Sequence, residues 1–502
     1  MGDLEARLGF SIGSLIDGAI VPGTGAPIAL VDPATETVLA TYRDAGAALA
    51  ERLHAAAARG GAAWRALAPS ARGAILARAA DLVARDAEAL AQIESLTVGK
   101  PIRDARGEVA KVAEMLRYYA GFADKVEGRV VPVATSHLAL VVPEPLGTIV
   151  QITPWNAPIF TAGWQLAPAL AAGNAAILKP SEWTPATSLM LARLLIEAGV
   201  PAGAIGVAAG LGATIGAALV SDARCGKAVF IGSVETGRKV AALAAAAGRP
   251  SLLELGGKSA NIVFADADLA AAGKAAQGAI FAGAGQSCTA GARLLVERAA
   301  LDDVLSIVAD GARRLRVGAP ADPATEIGPI QNRAQYERVL AAIARGRASG
   351  AQLVCGGGRP EGAGESGFFV APTVFLLDDP RHALAHEEIF GPVLCVIPFD
   401  GEAEAVAIAN ESEFDLAGAV WSRDGAKALR VARALRAGTV WVNGYRTLSV
   451  QMPFGGMRGS GFGRSSGAEV MAEYTQAKSL FVETAEQPAI PFGYGPGDSG
   501  SR

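Results

Sequence analysis

From Leu146 onward the chain alternates short apolar runs with longer stretches of helical spacing, punctuated by glycine and proline. LGTIVQIT (146–153) reads as a buried strand, and the residues from about Thr161 to Ala172 as a helix stopped by Gly173. NAAILK (174–179) is a short strand. Thr184-Pro185 has the form of an N-cap followed by proline at the first helical position, in a helix that runs to about Ala198. AIGVAAG (204–210) is a strand followed by a helix from about Ala213, and KAVFIG (227–232) is the next strand. Ser233 can cap the helix that Gly248 and Pro250 close, before the strand SLLEL (251–255). A second block repeats the logic in VLCVIPF (393–399), a helix from about Glu402, AGAVWS (417–422), a helix from about Ala426 and TVWVN (439–443). The alternation predicts an α/β protein of two doubly wound domains, each a parallel sheet covered by helices on both faces. Ligands of such sheets sit at the carboxyl ends of the strands, where Lys179, Ser233 and Glu254 fall. The regions near Val130–Val142 and Ala477–Val482 read as β extensions. The tail Gln487–Arg502, rich in Gly, Pro and Ser, reads as loose.

A length of 502 residues exceeds one small core and implies two or three domains. With 51% apolar and 19% charged residues the chain can bury a large core. A net charge of -4 and the absence of a long Lys or Arg run argue against nucleic acid as the main partner. Cys225, Cys288, Cys355 and Cys395 are scattered, which disfavours a zinc site or a disulfide framework and points to a cytoplasmic protein with reduced thiols. The start, MGDLEARLGF, lacks the apolar core of a secretory signal. Pro145 to Leu178 carries no Asp, Glu, Lys or Arg, yet its prolines, glycines, Asn156, Gln165 and Asn174 fit a buried strand, turn, helix and strand rather than a membrane span.

Candidate chemistry begins with AGAGQSCTAG (282–291). A free cysteine is often a small buried hydrophobe, but here Gly285, Gly291 and other small neighbours would let a flat ligand approach the Cys288 thiol. Glu254 ends an apolar strand, where poor solvation raises a carboxyl pKa; the competing reading is a helix cap or a pair with Lys258. Taken singly, Asn156 is a turn residue before Pro158, Ser233 a plain N-cap, and KPSE a surface lysine with a first-turn glutamate. GLGATIG (210–216) has one residue more than the usual dinucleotide fingerprint, and EEIFGP reads as a helix end before a Gly-Pro turn. His382 and His386 do not match a metal motif, and no metal site is expected.

QITPWNAP, ILKPSE, FIGS, LELGGKS, GQSCTAG, EEIFGPV and MPFGGMRGSGFGR occur in that order, and together they resemble the aldehyde dehydrogenase superfamily across nearly the whole chain. The resemblance implies a Rossmann-like NAD-binding domain from 1–126 and 146–253, an oligomerisation extension from 127–145 and 471–490, a catalytic domain from 254–470 and a loose tail from 491–502. It implies Cys288 as the nucleophile that forms a hemithioacetal and then a thioester, Asn156 as oxyanion donor, Glu254 as the base for hydrolysis, and Lys179 in both catalysis and cofactor binding. Trp155, Ser181, Glu182, Gly212, Gly216, Phe230, Gly232, Ser233, Leu255, Glu388 and Phe390 would bind the cofactor, with Glu182 favouring NAD while leaving NADP possible. Phe160, Trp164, Ser287, Thr289 and Tyr445 are candidate lining for a small aldehyde, although plain core packing competes for Trp164. Ala157 stands where many relatives carry an aromatic residue. The β extensions imply a homodimer or homotetramer. The competing functions are a coenzyme A-acylating relative, which tends to lack the glutamate base, and a thiol esterase or hydrolase without redox chemistry.

Overall fold

The computed structural model of the protein describes residues 3–486; the tail read as loose, Gln487–Arg502, lies outside them. The first large sheet orders its strands Gly461–Phe462, Ser251–Glu254, Cys225–Ile231, Thr148–Ile152, Ala175–Lys179, Ile205–Val207, Ser14–Ile16 and Ala19–Val21. The strands from Ser251–Glu254 to Ile205–Val207 are parallel, and the additions at both edges antiparallel. Thr148–Ile152 and Ala175–Lys179 are buried at every position, because helices cover both faces. The chain leaves Thr148–Ile152 toward Ala175–Lys179 and Ile205–Val207 on one side, then returns to add Cys225–Ile231 and Ser251–Glu254 on the other. That reversal opens a crevice beyond the carboxyl ends of Thr148–Ile152 and Cys225–Ile231.

The second sheet orders Gln352–Cys355, Thr373–Leu376, Val393–Phe399, Arg293–Glu297, Ala260–Val263, Ala417–Trp421 and Thr439–Val442. Only its Gln352–Cys355 edge is antiparallel. The strand at 393–399 has the predicted bounds, and the helices that follow it span Gly401–Asn410 and Gly425–Ala434. The chain passes from the first sheet to the second between Glu254 and Ala260, then returns a short strand, Gly461–Phe462, to the edge of the first.

Three local expectations change. Thr184 does not cap the following helix: Pro185 occupies the N-cap, the helix is Ala186–Ala198, and the Thr184 hydroxyl is buried with no hydrogen-bond partner among the described residues, while its N–H closes a turn on Ser181. The strand expected over 204–210 stops at Val207, and a Cβ at Gly210 would overlap the Asp44 carboxylate. The helix expected from about Ala213 opens as a π turn, Gly212–Gly216, with only Ala217–Ser221 α-helical.

Ahead of the first long strand lie the helices Leu49–Ala66, Pro69–Arg85, Ala87–Val98 and Ile102–Ala120. They dock through tryptophan and small residues: Trp64 is fully buried and its Nε1 donates to Leu170 O at 2.9 Å. Arg129–Val131, His137–Pro145 and Thr475–Glu483 pair antiparallel in a separate three-stranded sheet, with Thr475 opposite Pro145 and Glu483 opposite His137. Among the described residues no helix is long and apolar enough to cross a membrane.

At Gly60 the helix Leu49–Ala66 meets the turn Ala202–Ala204 so closely that a Cβ would overlap the backbone of Gly203 and Ala204. Backbone cannot rotate aside as a side chain can, so Gly60→Ala is expected to lose about 1–3 kcal/mol of stability, read as a lower Tm in calorimetry. An unchanged Tm would show that the two elements separate without loss.

Candidate active site

The helix Leu269–Phe281 ends in a tight left-handed passage, with positive φ at Gly283, Ala284 and Gly285. A Cβ at Gly285 would overlap the backbone of Gly391, so only glycine lets the loop lie this close to the turn behind it. The loop that follows is pinned on every side. Asn156 Nδ2 donates to Gln286 O at 2.8 Å, Gln331 N–H to Gln286 Oε1 at 2.9 Å, and Tyr445 OH to Thr289 O at 3.1 Å. Between these anchors sits Cys288. The other three cysteines are buried, whereas Cys288 is half-buried and lines a cavity of about 500 Å³.

Its sulfur lies 3.6 Å from Glu254 Oε1, with the thiol donating. Burial lifts the Glu254 carboxyl from the usual carboxylate range to about 7, against a smaller pull from the thiol's hydrogen bond. Burial also pushes the Cys288 thiol well above its ordinary value, with the Glu254 and Glu388 carboxylates adding to the effect. The resting pair is therefore a neutral thiol beside a carboxyl that changes charge near neutrality. Among the described residues, the backbone N–H of Cys288 donates to no carbonyl.

The cavity forms where the crevice of the first sheet faces the second. Trp155 and Asn156 come from the carboxyl end of Thr148–Ile152, Gly232 and Ser233 from that of Cys225–Ile231, and Glu254 and Leu255 from that of Ser251–Glu254. Ser287, Cys288, Thr289, Glu388 and Phe390 come from segments that run into the amino ends of second-sheet strands. Phe160 and Trp164 line it from the helix Pro158–Ala171, with ring centroids 4.9 Å apart; Trp164 packs on Phe454 at 5.8 Å. Trp164 thus belongs to both the core and the cavity wall.

Glu388 is nearly buried. Its Oε1 accepts from Gly257 N–H at 2.8 Å, and burial raises its carboxyl to about 7, against that bond and the Lys258 charge. A Cβ at Gly256 would overlap the Glu388 carboxylate, and one at Gly257 would overlap Cys288 O. Phe390 adopts φ 56 and meets Trp155 edge to face at 5.4 Å.

Lys179, Ser181, Glu182, Gly212, Gly216 and Phe230 do not line this cavity. Lys179 and Glu182 form an ion pair at 3.5 Å, and burial pulls the Lys179 ammonium below its usual range. A Cβ at Gly212 would meet Lys179 Nζ at 3.9 Å, and one at Gly216 would meet Ile152 and the Lys179 side chain in ordinary contact. Ser181 Oγ accepts from Trp183 N–H at 3.4 Å, and Phe230 packs beneath Gly232. Tyr445, expected to line the substrate space, does not: its ring lies 4.8 Å from that of Trp441, and its hydroxyl buttresses the Cys288 loop through Thr289.

Several lining residues had no signal in a sequence motif. Gln335 holds the left-handed Phe390 in place, its Nε2 donating to Ile389 O at 2.8 Å and Phe390 O at 3.0 Å. Arg338, Arg446, Glu108, Lys111 and Glu114 also line the cavity. His382 and His386 are structural, with His382 accepting from Leu384 N–H at 3.2 Å and His386 Nε2 lying 3.1 Å from Pro380 O. Among the described residues no group of His, Cys, Asp or Glu could hold a metal ion.

The residues present fit a nicotinamide dinucleotide. Lys179 and Glu182 pair at the carboxyl end of Ala175–Lys179, Ser233 opens the helix Val234–Ala246 at the crevice, and Trp155 and Phe390 line the cavity together with Cys288. Residues 20–480 match the Aldehyde dehydrogenase family, and the chain belongs to that family. It is 45% identical over 460 residues to a betaine aldehyde dehydrogenase of Cereibacter sphaeroides, covering 91% of this chain and 94% of that one. Retinal dehydrogenase 2 of Mus musculus is 44% identical over 434 residues, 85% of this chain and 82% of that one. Among solved structures, PnpE from Pseudomonas sp. WBC-3 superposes with a TM-score of 0.94 at 40% identity, covering 96% of this chain and 100% of that one. The betaine aldehyde dehydrogenase of Staphylococcus aureus, solved with NAD+, gives 0.95 at 34% identity over 98% of both chains.

The thiol's environment sets its reactivity toward iodoacetamide. Alkylation of Cys288 should climb with pH beyond the ordinary thiol range, because the thiol is raised. In Glu254→Gln the negative neighbour is gone, so the same rise should move to lower pH; a rise that stays put would show that Glu254 does not act on the sulfur. Peptide mapping should find the label on Cys288 and not on the three buried cysteines.

Proposed function

We propose that this chain oxidises an aldehyde to a carboxylic acid with NAD, and that Cys288, Glu254 and Asn156 perform the acyl chemistry. The observation that carries the reading is the Cys288 sulfur, 3.6 Å from a buried carboxylate and open to the cavity. The sulfur attacks the carbonyl carbon as the thiolate, its proton released to solvent through the cavity, giving the hemithioacetal anion and leaving Glu254 ionised. The developing oxyanion takes the free backbone N–H of Cys288 and the second Nδ2 hydrogen of Asn156, whose first is already held by Gln286 O. When bound, NAD supplies a hydride acceptor. Lys179 and Glu182 would hold its adenosine ribose, Ser233 its phosphates, and Glu388 its second ribose, with Trp155 and Phe390 beside the ring. Glu182 accepts from a 2′-hydroxyl and repels a 2′-phosphate, which favours NAD over NADP. Glu254 then deprotonates the water that hydrolyses the thioester on Cys288, a task suited to a carboxyl titrating near neutrality.

The Glu254 base argues against a coenzyme A-acylating reaction. The Lys179–Glu182 pair and the Glu388 carboxylate against Gly257 have no use in a simple thiol esterase. We place the enzyme in the cytoplasm, on the ground that its four cysteines are all free.

Cys288→Ala should abolish turnover while NAD still binds; retained dehydrogenase activity would end the nucleophile assignment. Glu254→Gln should lower steady-state turnover by about 100-fold or more. A pre-steady-state burst of reduced cofactor should survive, since losing the carboxylate also lets the thiol ionise more easily. Loss of burst and turnover to the same extent would reassign Glu254.

We also propose that the three-stranded sheet joins copies of the chain into a dimer or tetramer. It exposes Val130 and Phe481, at 67% and 64%, with Leu480 and Val482. Val130→Asp with Phe481→Asp should shift the sedimentation coefficient toward the monomer; an unmoved oligomer would place the contact elsewhere.

A further inference from the structure

Arg446 stands apart from the other charges around the cavity. It lines the main cavity and also a side chamber of about 70 Å³, and the two share Glu108, Asn156, Ala157, Ser287 and Arg446 itself. The small side chain of Ala157 lies at this junction. Arg446 adopts φ 60, an uncommon conformation for a residue with a long side chain, and its Nη1 reaches the helix-end carbonyls of Gly278 and Ala282 over long bonds of 3.3 and 3.4 Å. Among the described residues it has no carboxylate partner, and its Nε and Nη2 donate to no protein group.

The neighbouring charges are already neutralised. Glu108 pairs with Lys100, and Glu114 with Lys111 at 2.6 Å. Among the described residues Arg338 makes no ion pair either, but its charge acts on Glu388, and it lines only the main cavity, three residues beyond Gln335, which binds Phe390. Glu254 holds the Cys288 thiol and Glu388 the backbone N–H of Gly257. The Arg446 charge reaches Cys288, where it favours the thiolate.

Resting on the dehydrogenase reading above, we propose that Arg446 determines specificity, and that the aldehyde it selects bears a carboxylate at the end remote from the carbonyl. A guanidinium fork matches a carboxylate with two parallel hydrogen bonds, gains little from a neutral chain and repels a trimethylammonium head. The side chamber has room for such a group beside the fork, while Asn156 and Ser287, common to both cavities, lie next to the reacting centre.

The test compares kcat/KM for 4-oxobutanoate and 5-oxopentanoate with that for pentanal and for betaine aldehyde, in the wild type, Arg446→Gln, Arg446→Met and Arg446→Glu. The carboxylated aldehydes should lead by roughly tenfold or more. Either neutral variant should lower that ratio by a similar factor, mainly through KM, and Arg446→Glu should turn it toward betaine aldehyde. Calorimetry gives a readout without turnover: glutarate should bind the wild type more tightly than pentanoate, and the difference should vanish in Arg446→Gln. A wild type that oxidises neutral aldehydes with no carboxylate preference overturns the proposal, as does a ratio unchanged in the variants. Should the variants not fold, wild-type glutarate binding no tighter than pentanoate overturns it alone. A wild type that oxidises no aldehyde overturns the dehydrogenase reading itself, and this inference with it.

Discussion

The site depends on one crossing of the chain, from the end of Ser251–Glu254 in the first sheet to the start of Ala260–Val263 in the second. Over this short span Gly256 lies against the Glu388 carboxylate and Gly257 against the carbonyl of Cys288, with Gly257 N–H bonded to Glu388 at 2.8 Å. Any side chain at either position would push the two sheets apart. Because neither has one, Glu254 at the end of one sheet comes within reach of a sulfur carried by the other. The geometry of the candidate site is a consequence of close backbone packing between two cores rather than of any single loop.

The same closeness governs the electrostatics. Glu254 and Glu388 are both lifted to about 7 by burial, and the Cys288 thiol is lifted with them. Lys258 is fully buried beside them, its Nζ without a hydrogen-bond partner among the described residues, and burial lowers its pKa. Its charge acts on Glu388 and reduces the penalty for ionising that carboxyl. For an acid raised in the folded state, ionisation destabilises the fold as pH rises from the unfolded value through the folded one. The acids at this site are thus least comfortable near neutrality, where the chemistry needs a base.

The alternation of strands and helices was legible wherever a strand is buried on both faces, as at Thr148–Ile152 and Val393–Phe399, since such strands are apolar at nearly every position. It faded where strands are short or lie at an edge, as at Ser14–Ile16 and Gly461–Phe462, whose pairing depends on distant partners. Strand-end logic located Lys179, Ser233 and Glu254 because they belong to the first sheet. It could not locate Cys288 or Glu388, which approach the amino ends of second-sheet strands; the glycine-flanked loop singled out Cys288, and the resemblance of its motif pointed to Glu388. Thr184 and Tyr445 failed for a shared reason. Local sequence offers a hydroxyl, but packing decides whether it faces a helix end, a cavity or a neighbouring carbonyl.

By itself, then, the sequence determined the fold class and the alternation of the buried strands with helices, and its motifs supplied candidate reactive groups, because periodicity, glycine placement and side-chain chemistry are properties of short stretches. Only the tertiary structure decided which groups meet: that a thiol faces Glu254, that Gln335 holds Phe390, and that Arg446, without an ion-pair partner among the described residues, stands at a side chamber. Those pairings join residues far apart in the chain, and their energies arise from burial and close approach, which exist only once the two sheets have packed.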